Sequence, residues 1–165
     1  MKYITFTVPC YNSQDYMRNC LDKLVAAGVD IEVIIVDDGS KDNTPAIADE
    51  YQKNYPNVVR VIHKENGGHG SGVMAGIRNA NGVYFKVVDS DDWVETEDVL
   101  SMVNIIKKNI EEQKQVDLYS GITVYAHLVP VKPAFLEKLP NSTAHFSAPS
   151  ISNMVFGKSS LIYAL

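Results

Sequence analysis

The stretch Val83-Tyr84-Phe85-Lys86-Val87-Val88-Asp89-Ser90-Asp91-Asp92 joins an apolar run to three carboxylates. Its apolar part is rich in Val and aromatic residues and therefore predicts a buried strand. Three acids at the tip of a strand raise one another's pKa unless a cation or a set of donors offsets their repulsion. Hard cations such as Mg²⁺ or Mn²⁺ bind such oxygen ligands, usually one or two carboxylates together with substrate phosphates. The alternative is a solvated loop or a helix start, because acidic residues also favour first turns.

Strands and helices are predicted to alternate along the rest of the chain. The predicted strands cover residues 2–8 (ended by Pro9), 31–36, 58–62, 83–88 and 116–124. The first predicted helix is capped by Asn12 and Ser13 and has Tyr16, Cys20, Leu24 and Ala27 on its apolar face. The second starts at Thr44 and Pro45 and runs to about residue 54, and the third follows residues 67–72 and ends near residue 81. The fourth is capped by Thr96 and has Val99, Val103, Ile106 and Ile110 on one face. This alternation predicts an α/β fold of three layers, with a mainly parallel central sheet and helices on both faces.

Polar clusters follow three of the predicted strands at their carboxyl ends. Residues 9–12 follow the first strand, residues 37–40 the second, and residues 89–92 the fourth. In open parallel sheets, ligands bind outside the carboxyl ends of the strands. We therefore expect the three clusters to converge at one edge and to form a ligand site.

The composition limits the classes of protein that this chain resembles. The chain has 165 residues, 45% of them hydrophobic, and a net charge of −5, which suits one domain and argues against a nucleic-acid-binding surface. No run approaches the roughly 18 apolar residues of a membrane span, and the N-terminus lacks a signal-peptide pattern. Cys10 and Cys20 have no CxxC spacing, which favours reduced thiols. These features predict a cytoplasmic location, with a peripheral membrane contact left open.

The glycine-rich residues 67–72 admit several interpretations. Such a segment lets backbone approach a ligand and directs a helix N-terminus at phosphate. Gly70, Gly72 and Ala75 also satisfy the dinucleotide pattern G-x-G-x-x-A, but that pattern belongs directly after the first strand of a dehydrogenase fold. His63 and His69 have no metal-ligand spacing and are interpreted as structural or loop residues.

Taken together, these motifs resemble the inverting nucleotide-sugar glycosyltransferases of family 2, which have the GT-A fold. The matching pieces, in chain order, are residues 7–12 (Thr-Val-Pro-Cys-Tyr-Asn), residues 36–40 (Val-Asp-Asp-Gly-Ser) with Asp42 and Thr44, residues 66–68 (Asn-Gly-Gly) with Ala75, Arg78 and Asn79, and residues 89–92 (Asp-Ser-Asp-Asp). The resemblance covers roughly residues 1–119. It implies a GT-A, Rossmann-like domain that binds a nucleotide-diphospho-sugar, with a UDP-sugar as the expected donor.

The resemblance also implies roles for particular residues. The donor-binding residues that it implies are Pro9, Tyr11, Asn12, Asp38, Gly67, Arg78 and Asp89. The residues that it implies for a Mn²⁺ or Mg²⁺ ion on the donor diphosphate are Asp89, Asp91 and Asp92, as a DxD motif. A metal that bridges the two phosphates would stabilise the charge that builds on the leaving group.

The general base that inverting transfer requires has no candidate in this sequence. Of the 20 acidic residues only Glu137 lies in the tail, residues 120–165, which is rich in Ser, Pro and aromatic residues. We therefore divide the chain into a donor-binding domain, residues 1–119, and a divergent or truncated tail. The alternatives are a non-catalytic donor-binding module, an inactive fragment, or a chain that borrows its acceptor region from a partner or a second copy. The acceptor, whether glycan, lipid or protein, is not encoded readably.

Two other classes share parts of the pattern. A phosphoacceptor receiver domain also carries acids after two strands, as at Asp37, Asp38 and Asp89, but its paired acids follow the first strand. A Rossmann dehydrogenase would bind NAD(H). Both are minor alternatives.

Overall fold

The computed structural model describes residues 1–114, 119–120 and 127–130. The strands are β1 Ile4–Cys10, β2 Ile31–Asp37, β3 Val59–His63, β4 Tyr84–Val87, β5 Tyr119–Ser120 and β6 His127–Pro130. The helices are α1 Met17–Val25, α2 Thr44–Asn54, α3 His69–Asn79 and α4 Thr96–Glu111.

The strands form one sheet in the order β3-β2-β1-β4-β6-β5. The pairings among β1, β2, β3 and β4 are parallel, whereas β6 pairs antiparallel with β4 and with β5. β1 and β2 are buried along their whole length, as expected of strands covered on both faces. The prediction of an α/β fold with a mainly parallel sheet is confirmed.

β1 continues through Pro9 to Cys10, so the prediction that Pro9 ends this strand is wrong. The carbonyl of Thr7 accepts from the N–H of Val88 at 2.9 Å, which shows that odd-numbered residues of β1 direct their backbone polar groups toward β4. The register between β1 and β4 ends at the pair of Thr7 and Val87. Pro9 lies beyond it, so its missing N–H removes no hydrogen bond of the ladder.

The start of α1 also differs from the prediction. Asn12 has a φ of +51°, and neither Asn12 nor Ser13 caps the helix, which begins at Met17. The carbonyl of Ser13 instead accepts the N–H groups of Tyr16 and Met17 in a turn before the helix. This delay places Tyr16 outside the apolar face, where it is 42% exposed.

α3 packs unusually close to β1 because glycines face it. A Cβ at Gly76 would lie 2.2 Å from the Oγ1 of Thr7, and a Cβ at Gly72 would lie 3.2 Å from Pro9. From Gly72 to Gly76 the helix therefore descends from the carboxyl end of β1 toward its amino end. The first residue of α3, His69, lies at the carboxyl edge of the sheet and its last turn at the opposite edge.

The last helix, α4, follows the acidic residues 89–92, and the short strands β5 and β6 come after it. α4 begins at Thr96 with Glu95 as its N-cap residue, and the hydroxyl of Thr96 donates to the Lys23 carbonyl instead of capping the helix. Val99, Val103 and Ile106 are buried as predicted, but Ile110 is 38% exposed. Of the predicted strand over residues 116–124, Tyr119–Ser120 is a strand and the remainder lies outside the described residues. In the described part of the chain, no helix combines the length and apolar character that crossing a membrane requires.

Candidate functional site

Three loops meet at the carboxyl edge of the sheet and are joined through Ser13. Its hydroxyl lies 2.9 Å from that of Ser90 in the loop after β4, and it accepts the N–H of Tyr11 at 3.2 Å. Its own N–H donates to the Oγ1 of Thr44 at 2.7 Å, at the start of α2. Because Ser13, Thr44 and Ser90 are all buried, these hydrogen bonds fix the loops relative to one another.

Asn12 links the same loop to the one after β2. Its N–H donates to the hydroxyl of Ser40 at 3.0 Å, and its Oδ1 accepts the N–H of Lys41 at 2.8 Å. The left-handed backbone conformation of Asn12 is one that asparagine tolerates better than most residues. Asn12 therefore connects the loop after β1 to the loop after β2 through two hydrogen bonds.

Asp38 holds the glycine loop, residues 64–68. Its carboxylate accepts the N–H of Gly67 at 3.0 Å and of Gly68 at 2.7 Å, and it forms an ion pair with Lys64. Burial would raise the pKa of Asp38, but Lys64 and the two N–H groups outweigh it and lower the pKa below its ordinary value. A carboxylate offers about four acceptor positions, so three are used within the protein and one remains.

Asp37, the neighbouring acid, is part of a separate cluster. Its carboxylate accepts the N–H of Ser40 at 3.0 Å and lies 3.0 Å from the Nδ1 of His63, whose Nε2 lies 3.0 Å from Asp49 on α2. The hydrogen bonds to Asp37 and Asp49 raise the pKa of His63. His63 thus has the structural role predicted for it, since it ties the ends of β2 and β3 to α2.

The acidic turn, residues 89–92, closes on itself at the end of β4. The N–H of Asp92 donates to the carbonyl of Asp89 at 2.9 Å, and Asp91 is exposed to solvent. Burial, together with Asp91 and Asp89, raises the pKa of Asp92, while Lys86 lowers it. The carboxylates therefore repel one another, as the sequence predicts, and a bound cation would relieve that repulsion.

Lys86 is a charged residue of this region that sequence analysis missed. It is only 7% exposed, and burial lowers its pKa against the attraction of Asp89 and Asp92. A lysine inside a strand otherwise rich in Val and aromatic residues is the signal that could have identified it. Its charge is attracted to the carboxylates of Asp89 and Asp92 in the acidic turn.

His69, which the sequence predicts to be a structural or loop histidine, makes a contact with the acidic turn that the sequence does not indicate. Its Nε2 lies 2.8 Å from the Oδ1 of Asp89, so it joins the start of α3 to the acidic turn. The side chains are 49% and 36% exposed, which places this pair on the open surface of the site. Spacing in sequence gave no signal for it, since 20 residues separate the two.

The remaining predicted site residues fall into two groups. Tyr11 is 50% exposed beside the loops, Pro9 is buried beneath them, and Gly67 lies in the glycine loop. Arg78 is exposed in the last turn of α3, nine residues after His69, and at a rise of about 1.5 Å per residue this is about 13 Å away. The backbone of Arg78 is therefore displaced along α3 from the contact of His69 with Asp89, and its role in donor binding stays a prediction.

Cys10 is buried between the loops, and it is a poor nucleophile. Its thiol is 1% exposed, and burial raises its pKa to about 12. The thiolate, which is the reactive form, is therefore disfavoured at neutral pH. Cys10 and Cys20 are both buried free thiols.

Gly70, Gly72 and Ala75, which match the dinucleotide pattern, lie within α3 and not in the turn after the first strand. Gly72 instead packs against Pro9 and Val36. This placement argues against the dehydrogenase alternative, in which those glycines must approach a pyrophosphate directly.

Metal ligation by side chains alone has no preformed cage here. Within the described residues, no three or more His, Cys, Asp or Glu side chains converge as a metal site. The acidic turn nevertheless offers hard oxygen donors at an open surface. This donor set fits a cation that takes one or two carboxylates and completes its shell with phosphate and water.

Comparison with known proteins finds matches among glycosyltransferases, both in a family profile and in individual sequences. A sequence profile described as Glycosyl transferase family 2 matches residues 5–160, which extends past residue 119, where the sequence resemblance was expected to end. A protein named as an uncharacterized glycosyltransferase of Rickettsia felis is 32% identical over 167 aligned positions, covering 98% of this chain and 27% of the relative.

Two solved structures have a similar fold. The S. aureus TarS 1-349 structure in complex with UDP-GlcNAc has a TM-score of 0.58 and 29% identity, covering 67% of this chain and 32% of TarS 1-349. Mannosyltransferase PcManGT from Pyrobaculum calidifontis, in complex with GDP-Man and Mn²⁺, has a TM-score of 0.54 and 23% identity, covering 64% of this chain and 32% of that one. The chain spans about a third or less of the length of these proteins.

Proposed function

Because this chain belongs to glycosyl transferase family 2, we propose that it binds a nucleotide-diphospho-sugar at the carboxyl edge of its sheet, with a UDP-sugar as donor and Mn²⁺ or Mg²⁺ as metal. The observation that carries the proposal is the convergence of three loops there, fixed by the buried hydroxyls of Ser13 and Ser90. The similarity to TarS, which was solved with UDP-GlcNAc, supports the choice of a uridine nucleotide.

The proposed role of each donor-binding residue follows its position at the carboxyl edge of the sheet. Tyr11 is half exposed and offers a ring on which a base stacks, and the buried Pro9, which packs against Gly72 of α3, sets the end of β1 from which this loop begins. Asp38 fixes the glycine loop and has one acceptor position left for a base N–H or a ribose hydroxyl. Arg78 is omitted from this proposal because it lies at the far end of α3.

The acidic turn is proposed to hold the metal. Asp89 and Asp91 are the proposed ligands, of which Asp91 is the more exposed, and Asp92 assists from a partly buried position. A divalent cation there supplies Lewis-acid stabilisation of the leaving diphosphate. The protein's contribution is to hold two carboxylates together at the strand end, with the charge of Lys86 offsetting part of the repulsion at Asp92.

The test is the affinity for UDP in the presence of Mn²⁺, measured by calorimetry on the whole chain. Asp91→Ala is expected to abolish the metal-dependent part of binding, whereas Asp98→Ala, which removes an exposed carboxylate in the first turn of α4, is expected to leave it unchanged. Equal affinities for the wild type and Asp91→Ala would remove the metal assignment.

Transfer to an acceptor with inversion is the further part of the proposal, and donor binding without transfer is the second candidate function. The observation that favours the second is the state of Glu95, the first carboxylate after the acidic turn. A hydrogen bond to Lys23 lowers the pKa of Glu95, and Trp93 donates to its other oxygen, so it is poorly suited to be a general base. Assaying hydrolysis and transfer of UDP-sugars with a panel of acceptors separates the two functions, because turnover excludes the binding module.

A further inference from the structure

The contact between His69 and Asp89 has the features of a hydrogen bond that orients a carboxylate. The 2.8 Å hydrogen bond links two different elements, the first residue of α3 and the acidic turn after β4. Both side chains are partly exposed, so the contact fills no core space. It acts on the carboxylate that stands first in the acidic turn.

We propose that His69 is a positioning residue, which holds the carboxylate of Asp89 in the orientation that meets the divalent cation. This inference rests on the donor and metal site proposed above. If Oδ1 of Asp89 accepts from Nε2 of His69, Oδ2 remains for the cation. An N–H fixed from outside the turn also resists the spreading of carboxylates that repel one another. Outer partners of this kind commonly change metal affinity by about 10–100-fold when they are removed.

The backbone of α3 makes His69 a rigid support. Gly76 brings the helix against Thr7 at a distance that a Cβ would prevent, and a Cβ at Gly72 would be tight against Pro9, so these two glycines fix the height of the helix above the sheet. His69 is the first residue of this fixed helix, so its side chain begins from a defined point.

The space next to His69 is open. A Cβ added at Gly70 would meet nothing within 4 Å, so the packing of the chain gives no reason for a glycine at this helix position. Gly70 therefore places no packed side chain next to His69 at the start of α3.

The test compares two variants of His69 in the whole chain. His69→Phe keeps a ring of similar shape without a donor, whereas His69→Gln restores an N–H donor near the position of Nε2. The quantity measured is the Mn²⁺ concentration that gives half-maximal UDP binding, together with the UDP affinity without metal and the melting temperature.

The expected result for His69→Phe is a rise of about 10–100-fold in the half-saturating Mn²⁺ concentration. The metal-free UDP affinity and the melting temperature should stay unchanged, and His69→Gln should recover most of the loss.

Three results would overturn the inference. An unchanged Mn²⁺ requirement in His69→Phe would show that the contact has no effect on the cation. Equal losses in both variants would show that the N–H donor is irrelevant, and a loss of UDP affinity that is the same with and without metal would assign His69 to the nucleotide. A different result would overturn the proposed function itself: wild-type UDP binding that responds neither to Mn²⁺ nor to Asp91→Ala. That result would also remove the role proposed for His69.

Discussion

The hydroxyl oxygens of Ser13 and Ser90 lie 2.9 Å apart, where the loops after β1 and β4 meet beneath the candidate site. Both residues are buried, at 1% and 7% exposure, and they are separated by 77 positions in the chain. A hydrogen bond between such distant positions fixes the spacing between the loop that carries Tyr11 and the loop that carries the acidic residues. The two halves of the proposed donor site are thereby held in register.

A double-mutant cycle on this pair should show coupling. Ser13→Ala and Ser90→Ala each leave a hydroxyl buried without its partner, and the two changes together remove both, so their effects on the free energy of unfolding should fall short of additivity by about 1 kcal/mol. Urea denaturation of the four proteins measures it. Strict additivity would mean that the hydroxyls do not interact.

Replacement of Asp38 should destabilise the protein. Asp38→Ala removes the acceptor shared by Lys64 and the N–H groups of Gly67 and Gly68. Because these donors are partly exposed and water can replace the carboxylate, the change should cost about 1–2 kcal/mol. Asp15→Ala, at an exposed carboxylate, is the control and should have little effect. Equal unfolding free energies for the two variants would contradict the role given to Asp38.

The fixed distance between α3 and β1 leads to a prediction about two glycines of the same helix. Gly76→Ala places a Cβ 2.2 Å from the Oγ1 of Thr7 and should cost about 1–3 kcal/mol of stability through overpacking. Gly70→Ala meets nothing within 4 Å and should be neutral or stabilising by up to about 1 kcal/mol. Thermal unfolding of both variants provides the comparison, and a similar effect at the two positions would refute the close approach.

His63 should make stability depend on pH. Because Asp37 and Asp49 raise the pKa of His63 in the folded state, its contribution is fully present below the ordinary value of 6.5 and is lost as pH rises through the higher folded value. His63→Gln should remove this decline. The measurement is the difference in unfolding free energy between wild type and variant from pH 6 upward, and a difference that does not change with pH would exclude the ion pairs.

The sequence determines the fold more completely than it determines the contacts of the site. Thr44 with Pro45 predicts the start of α2, because the proline ring fixes a helical φ and the missing N–H has no partner to lose in the first turn. The apolar run before Asp37 predicts a strand covered on both faces. The predicted end of β1 is wrong because Pro9 lies past the last residue pair between β1 and β4. The position of that last pair depends on β4, a neighbouring strand that is 80 residues away in the chain.

The site residues show the same limit. The convergence of the loops follows from the order of strands and helices, and so it was predictable. The partners of Asp38 depend on how the loop after β3 approaches the end of β2, and the contact of His69 with Asp89 depends on the distance between α3 and the sheet. No local pattern encodes that distance, so these two contacts required the structure.

The most direct test of the account is the calorimetric affinity of the wild-type chain for UDP, with and without Mn²⁺, compared with its affinity for UMP under the same two conditions. Because the cation is proposed to join the acidic turn to a diphosphate, Mn²⁺ should strengthen UDP binding at least about tenfold, or about 1.4 kcal/mol, and should leave UMP binding nearly unchanged. Binding of UDP that is equal with and without Mn²⁺, or no binding in either condition, would contradict the account.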